Sequence, residues 1–243
     1  YFLTDSKYFY SNRLAFSFEY FGIVNDIRER IEKYFDELVI DEVQDISGRD
    51  FNFLSEIMEA NINMLFVGDF YQHTYDTSQD GNVNKNLFND YAQYKDKFLG
   101  KGIIVDEVTL EKSWRCNDKI CCFVRENLDI EIDSHYEENL SSEISYLAEK
   151  SEIERILNNN DIVKLHYQNS SKYGANHKNW GETKGEDCYQ DVCIVLNKNT
   201  EKQYKAGSLE KLVPSTRNKL YVALTRARGN IYFISHSCLK HII

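Results

Sequence analysis

Two short apolar runs, ELVIDE at 37–42 and NMLFVGD at 63–69, each end in acid, and a stretch with helical spacing, RDFNFLSEIMEA at 49–60, separates them. That order constrains the fold more than anything else in the chain. Short continuous apolar runs are the mark of parallel strands buried on both sides. Strand, helix, strand with a carboxylate at each strand's carboxyl end is the grammar of an open α/β sheet, whose ligands bind at those ends. Ahead of the first strand, IVNDIRERIEKYF places Ile23, Ile27, Ile31 and Phe35 on one apolar helix face.

The alternation continues downstream. YAQYKDKFL (91–99) reads as helix, GIIVDEVTL (102–110) as strand, and RCNDKICCFVRENL (115–128) as helix capped by Asn117 or Asp118. DIVKLHY (161–167) and DVCIVL (191–196) read as strands, STRNKLYVALTRARG (215–229) as helix stopped by Gly229, and NIYFIS (230–235) as the closing strand. Residues 76–89 are polar and turn-rich, and 131–160 form an acidic stretch with helical spacing near its end. The expected fold class is α/β, divided near residues 100–110 into 1–106 and 107–243.

Composition narrows the function. A chain of 243 residues, 42% of them hydrophobic, can bury a sizeable core. Its formal charge of −10 argues against a dedicated nucleic-acid-coating module, while leaving room for a local basic groove. No run approaches the roughly 18 apolar residues of a membrane span, and the N-terminus lacks the order of a signal peptide, so a soluble cytoplasmic protein without a membrane partner is expected. The cysteines lack C-x2-C spacing and read as idle thiols in a reducing compartment.

Asp41 and Glu42 are the chemically informative pair. A carboxylate at the end of a buried strand is held rigidly at the ligand edge of a sheet, where Asp41 can hold Mg²⁺ while Glu42 orients or deprotonates a water. The plainer alternative is that both cap the following turn.

Five motifs decide between these readings. DEVQD (41–45), VGDFYQHTY (67–75), SWR (113–115), KGE (184–186) and YVALTRAR (221–228) follow one another in the order of the ATPase motifs of the UvrD/Rep-like superfamily 1 DNA helicases, which the chain resembles from about Phe35 to Phe233. The resemblance implies two RecA-like P-loop NTPase lobes with parallel sheets and ATP hydrolysed with Mg²⁺ in the cleft between them. It assigns Asp41 to the metal, Glu42 to the attacking water and Gln72 to sensing the γ-phosphate. Trp114 would stack on adenine, Arg115 and Arg226 would contact phosphate through the planar guanidinium fork, and Glu186 would contact the ribose. The implied partner is single-stranded or partly duplex DNA, and the rival regulatory reading adds a protein partner. Without the resemblance, Gln72 is a solvated turn residue, Trp114 a core aromatic, and Arg226 and Arg228 complement a helix end.

The departures are as telling. No G-x-x-x-x-G-K-[ST] is present, since Gly100-Lys101 runs into Gly102 and Lys95 stands where the first glycine belongs. Together with a first residue, Tyr1, that is not methionine, this predicts an incomplete first lobe and a chain inactive by itself. After Tyr75 the family continues Gly-Trp-Arg-Gly, whereas this chain reads Asp76-Thr77-Ser78-Gln79, which removes a base-stacking residue and puts processive unwinding in doubt. The rival readings are a nucleotide-free interaction module and an ATP-gated regulatory or scaffolding subunit.

Overall fold

The computed structural model describes residues 1–75, 77–78, 82–136 and 142–241. They divide into two compact units, Tyr1–Asp106 and Glu107–Ile243.

The N-terminal unit carries α1 (Leu14–Phe21), α2 (Val24–Tyr34), β1 (Glu37–Ile40), α3 (Gly48–Ile57), β2 (Asn63–Phe66) and α4 (Tyr91–Leu99). β1 and β2 pair in parallel, Leu38 opposite Met64 and Ile40 opposite Phe66. Ile40, Met64 and Phe66 pack on a core of Phe51, Leu54, Met58, Phe70, Tyr94 and Phe98 from α3, α4 and the turn after β2. The expectation of burial on both sides is corrected here. Side chains alternate across a strand, and the other face leaves Val39 56% and Leu65 51% exposed.

Residues 102–110 form no strand. Gly102 takes φ +78°, Ile103 N–H donates to the Phe98 carbonyl at the end of α4, and Ile103 and Val105 join the core. Between them Ile104 is 91% exposed. The segment keeps strand-like alternation, but among the described residues no strand lies beside it to complete a ladder.

The C-terminal unit carries β3 (Lys112–Ser113), α5 (Asp118–Leu128), β4 (Asp133–Ser134), β5 (Ile144–Tyr146), α6 (Lys150–Asn158), β6 (Val163–His166), β7 (His177–Asn179), β8 (Val192–Leu196), α7 (Lys198–Lys205), α8 (Pro214–Leu224) and β9 (Ile231–Ser235). β3 pairs with β4, and the remaining five form one parallel sheet in the order β5-β9-β8-β6-β7. Its central strands β6 and β8 are buried along their whole length: β8 as its continuous apolar run VCIVL requires, and β6, VKLH, with Lys164 and His166 buried beside Val163 and Leu165. One face packs Cys193, Val195 and Ile234 against Ile153 and Ile156 of α6. The α/β expectation holds in both units.

α8 ends earlier than expected. The Thr225 hydroxyl donates back to the carbonyls of Tyr221 (2.9 Å) and Val222 (3.2 Å), and the chain leaves the helix at Leu224. Gly229 is therefore not the helix stop. Its N–H donates to the Gln190 carbonyl at 2.6 Å, and a Cβ there would lie 2.5 Å from Asp191 Oδ1, so glycine is required by the close approach of two loops.

Candidate functional site

In the N-terminal unit, the ends of β1 and β2 bring Asp41, Glu42 and Gln72 into one linked arrangement. Val67 N–H donates to the Ile40 carbonyl (2.8 Å) and Val43 N–H to the Val67 carbonyl (3.0 Å), which extends the pairing past both strands. Glu42 N–H then donates to Asp41 Oδ1 at 2.8 Å, and Glu42 adopts the left-handed conformation, φ 54° and ψ 42°. Fully buried Gln44 joins the two strand ends: its amide N–H donates to Glu42 Oε2 and its Oε1 accepts Asp69 N–H at 3.1 Å. Asp69 caps the next turn by accepting Tyr71 N–H (3.0 Å), and its other oxygen accepts Gln72 Nε2–H (3.0 Å). His73 Nδ1–H donates to the Gln44 carbonyl at 2.8 Å, and its ring stacks on Phe88. A continuous chain of bonds thus runs from Glu42 through Gln44 and Asp69 to Gln72.

The residues fit a magnesium nucleotide. Asp41 is exposed, and among the described residues no group of three or more His, Cys, Asp or Glu could hold a metal by itself. Mg²⁺ needs no such cage, because it is usually held by one or two carboxylates together with substrate phosphates.

In the C-terminal unit, three loops converge on Asp187. Arg115 Nε donates to Asp187 Oδ1 at 2.6 Å and Arg228 Nη2 to Asp187 Oδ2 at 2.8 Å, while Arg115 Nη1 donates to the Thr225 carbonyl at 3.2 Å. Asn117 ties the same loops together. Its Oδ1 caps α5 by accepting Ile120 N–H (3.1 Å), and its Nδ2 donates to the Arg228 carbonyl (2.9 Å). The hydrogen bonds from Arg115 and then Arg228 hold the Asp187 carboxyl below the usual carboxylate range.

Arg226 sits differently from Arg115. It is 1% exposed, with Nε on the Val222 carbonyl (3.1 Å) and Nη1 on the carbonyls of Thr183 (3.3 Å) and Glu186 (3.0 Å). Burial, and then the nearby Arg115 charge, lowers its pKa to about 10, so it stays charged at neutral pH. Glu186 instead accepts from Lys178 and Tyr189. Burial by itself would raise the Glu186 carboxyl, and those hydrogen bonds outweigh it and leave it lowered. Trp114 is no core residue: it is 68% exposed, its ring stacks on His135 at 3.3 Å between centroids, and its carbonyl accepts the Tyr136 hydroxyl.

Sequence reasoning missed Gln44, Asp187, Arg228 and His135 as members of these arrangements. Gln44 stood inside DEVQD, and Asp187 directly follows Glu186, so both were in view without a signal to separate them from their neighbours. Asp76 and Gln79 lie outside the described residues.

The family profile of the viral superfamily 1 RNA helicase core domain matches residues 22–235, nearly the whole chain. The chain belongs to this superfamily 1 helicase family. A second comparison agrees at the level of the superfamily: 81 residues, 33% of the chain, are 37% identical to one subunit of the ATP-dependent helicase/nuclease of Oenococcus oeni, of which they cover 7%. The chain thus spans a small part of that relative. Among solved structures, this superfamily 1 helicase core is similar to the PRRSV helicase (15% identity, TM-score 0.48, covering 81% of this chain and 34% of that one). It is similar also to arterivirus nonstructural protein 10, a helicase solved with DNA (14% identity, TM-score 0.48, 82% and 39%). No helix of the described residues is long and apolar enough to cross a membrane.

Proposed function

We propose that the chain is part of an ATP-driven motor that moves on single-stranded nucleic acid. In this reading Asp41, Glu42 and Gln72 of one RecA-like lobe and Arg115 and Arg226 of the other act on the same ATP. The observation that carries it is the buried Gln44 bridge, which makes Glu42 and the Asp69–Gln72 turn respond as one unit. Asp41 would hold Mg²⁺, which when bound neutralises charge on the phosphates. Glu42 orients the attacking water and takes its proton. Gln72 reports the γ-phosphate to the strand-end network. Exposed Trp114 offers its free face to adenine, and its stack on His135 supports that role. Glu186, assigned to the ribose, would first have to leave Lys178, and buried Arg226 would have to release its bonds to the Thr183 and Glu186 carbonyls to reach phosphate.

The test is Glu42→Gln in the full-length protein. It keeps size and hydrogen bonding while removing the base, and ATP turnover should fall by about 10²–10⁴-fold with nucleotide binding largely kept. Turnover equal to the parent's would reduce Glu42 to a turn cap. The 243-residue chain by itself is expected to turn over ATP negligibly, because no phosphate-cradling loop is present in its sequence; a steady-state assay checks this, and robust Mg²⁺-dependent turnover contradicts it.

The motifs point to DNA and the matched family's description to RNA. Competition between oligo-dT and oligo-U for the full-length protein decides. A second reading, in which ATP gates a regulatory subunit, is favoured by the −10 charge and by the residues after Tyr75. Binding to either oligonucleotide that weakens steeply with salt supports the motor, and no binding supports the regulatory reading.

A further inference from the structure

Two arginine side chains in the C-terminal unit converge on one carboxylate without exhausting their donors. Arg115 uses Nε on Asp187 and Nη1 on the Thr225 carbonyl, which leaves Nη2 with no protein acceptor among the described residues. Arg228 uses only Nη2 among the described residues. Its side chain is 47% exposed, and Arg115's is 24% exposed. Arg226 is more fully engaged, with Nε and Nη1 on backbone carbonyls and Nη2 on the Thr225 hydroxyl.

Backbone contacts hold the two arginines in register. Arg228 N–H donates to the carbonyls of Tyr189 (3.3 Å) and Gln190 (3.1 Å), and the Arg228 carbonyl accepts from the α5 cap Asn117. Arg226 in turn grips the carbonyls of Thr183 and Glu186, fixing the segment that presents Asp187. Three guanidinium groups around a single carboxylate leave an excess of positive charge. A carboxylate and a phosphate present similar oxygen pairs to a guanidinium fork, so the oxygens of Asp187 mark where phosphate oxygens can sit.

We infer that Arg115 and Arg228 form a two-arginine fork for the phosphates of a nucleoside triphosphate, and that Asp187 is an internal carboxylate that occupies and aligns this fork until phosphate displaces it. The inference rests on the proposed role of Arg115 and adds two residues to it. Arg228 becomes a phosphate contact in its own right, and Asp187 a positioning residue that competes with substrate. A polyanion gains more from the excess positive charge than one carboxylate does, so exchange favours the nucleotide, while Asp187 keeps the fork ordered when none is bound.

Titration calorimetry of the 243-residue chain with magnesium-free tripolyphosphate tests it, with circular dichroism confirming that each variant is folded. Asp187→Asn removes the competitor and should tighten binding about tenfold, as expected if the open fork is the minor state in the parent. Arg228→Ala should weaken binding in both the parent and the Asp187→Asn background. Arg228→Lys, which keeps the charge and loses the planar fork, should also bind more weakly than the parent. Binding that is unchanged or weaker in Asp187→Asn overturns the competitor role, and binding indifferent to residue 228 overturns the fork. Failure of the proposed function is read separately, as undiminished ATP turnover by Glu42→Gln in the full-length protein.

Discussion

At the scale of single residues, the N-terminal site is built on one strained and one sterically required position. Glu42 in the left-handed region costs roughly 1–2 kcal/mol for a residue with a Cβ, and such outliers concentrate at functional sites. Gly68 is the complement. A Cβ there would lie 2.2 Å from Gln44 Oε1 and 3.1 Å from the Val43 nitrogen, so even alanine must push the buried amide off both Glu42 and Asp69. Gly68→Ala should cost about 1–3 kcal/mol, the range of core overpacking. Far-UV circular dichroism in urea is the measurement, because both tryptophans, Trp114 and Trp180, lie in the C-terminal unit. A loss within about 0.5 kcal/mol, the range of an ordinary surface change, would show that Gln44 is free to move aside.

At the scale of elements, the β6–β7 edge carries a pH dependence. His166 ends β6, its Nε2 lies 2.8 Å from His177 Nδ1 of β7, and its ring stacks on Tyr173. Burial, then the charges of His177 and His236, pushes His166 down to about 3, and burial lowers His177 as well, with Lys164 adding to it. An unfolded histidine titrates near 6.5, so below that pH the unfolded chain binds more protons than the folded one. The stability is therefore complete above about pH 6.5 and is lost progressively as pH falls toward 3, by roughly 1.4 kcal/mol for each unit of pH per fully shifted histidine. Between pH 7.5 and 5.5 the unit should lose about 1–2 kcal/mol, and His166→Gln should flatten the slope. Buried Trp180, whose indole N–H donates to the Leu165 carbonyl at 2.9 Å, reports unfolding of this edge by fluorescence. A parent profile flat across that interval would mean that His166 remains wet and titrates normally.

At the scale of the whole molecule, solution behaviour follows from the two-stranded sheet. Among the described residues β1 and β2 pair only with each other, so both outer edges are open as well as the face bearing Val39 and Leu65. Open apolar edges and faces template association. The purified chain should show concentration-dependent sedimentation, and Val39→Lys with Leu65→Lys should suppress it without lowering stability by more than about 0.5 kcal/mol, since neither side chain is part of the core. A parent chain that sediments as a monomer at every concentration contradicts this.

What the sequence determined by itself is what local pattern encodes. The spacing of Ile23, Ile27 and Ile31 marked α2, the continuous apolar run VCIVL marked β8, and the motif order identified the superfamily, since each signal lies within a few neighbouring residues. Only the tertiary structure decided the rest. β5 and β7 are three residues long, ISY and HKN, and become strands only because β9 and β6 offer them partners. Residues 102–110 have strand composition and lack a partner. The exposed face of β1 depends on what packs beside it, which an apolar run does not state. Whether Glu186 or Asp187 meets Arg115 was also beyond the sequence, because adjacent acids look alike until Lys178 and Tyr189 claim one and Arg228, 41 residues further on, helps claim the other. Pairing, burial and ion-pair choice are relations between distant residues, and only folding brings those residues together.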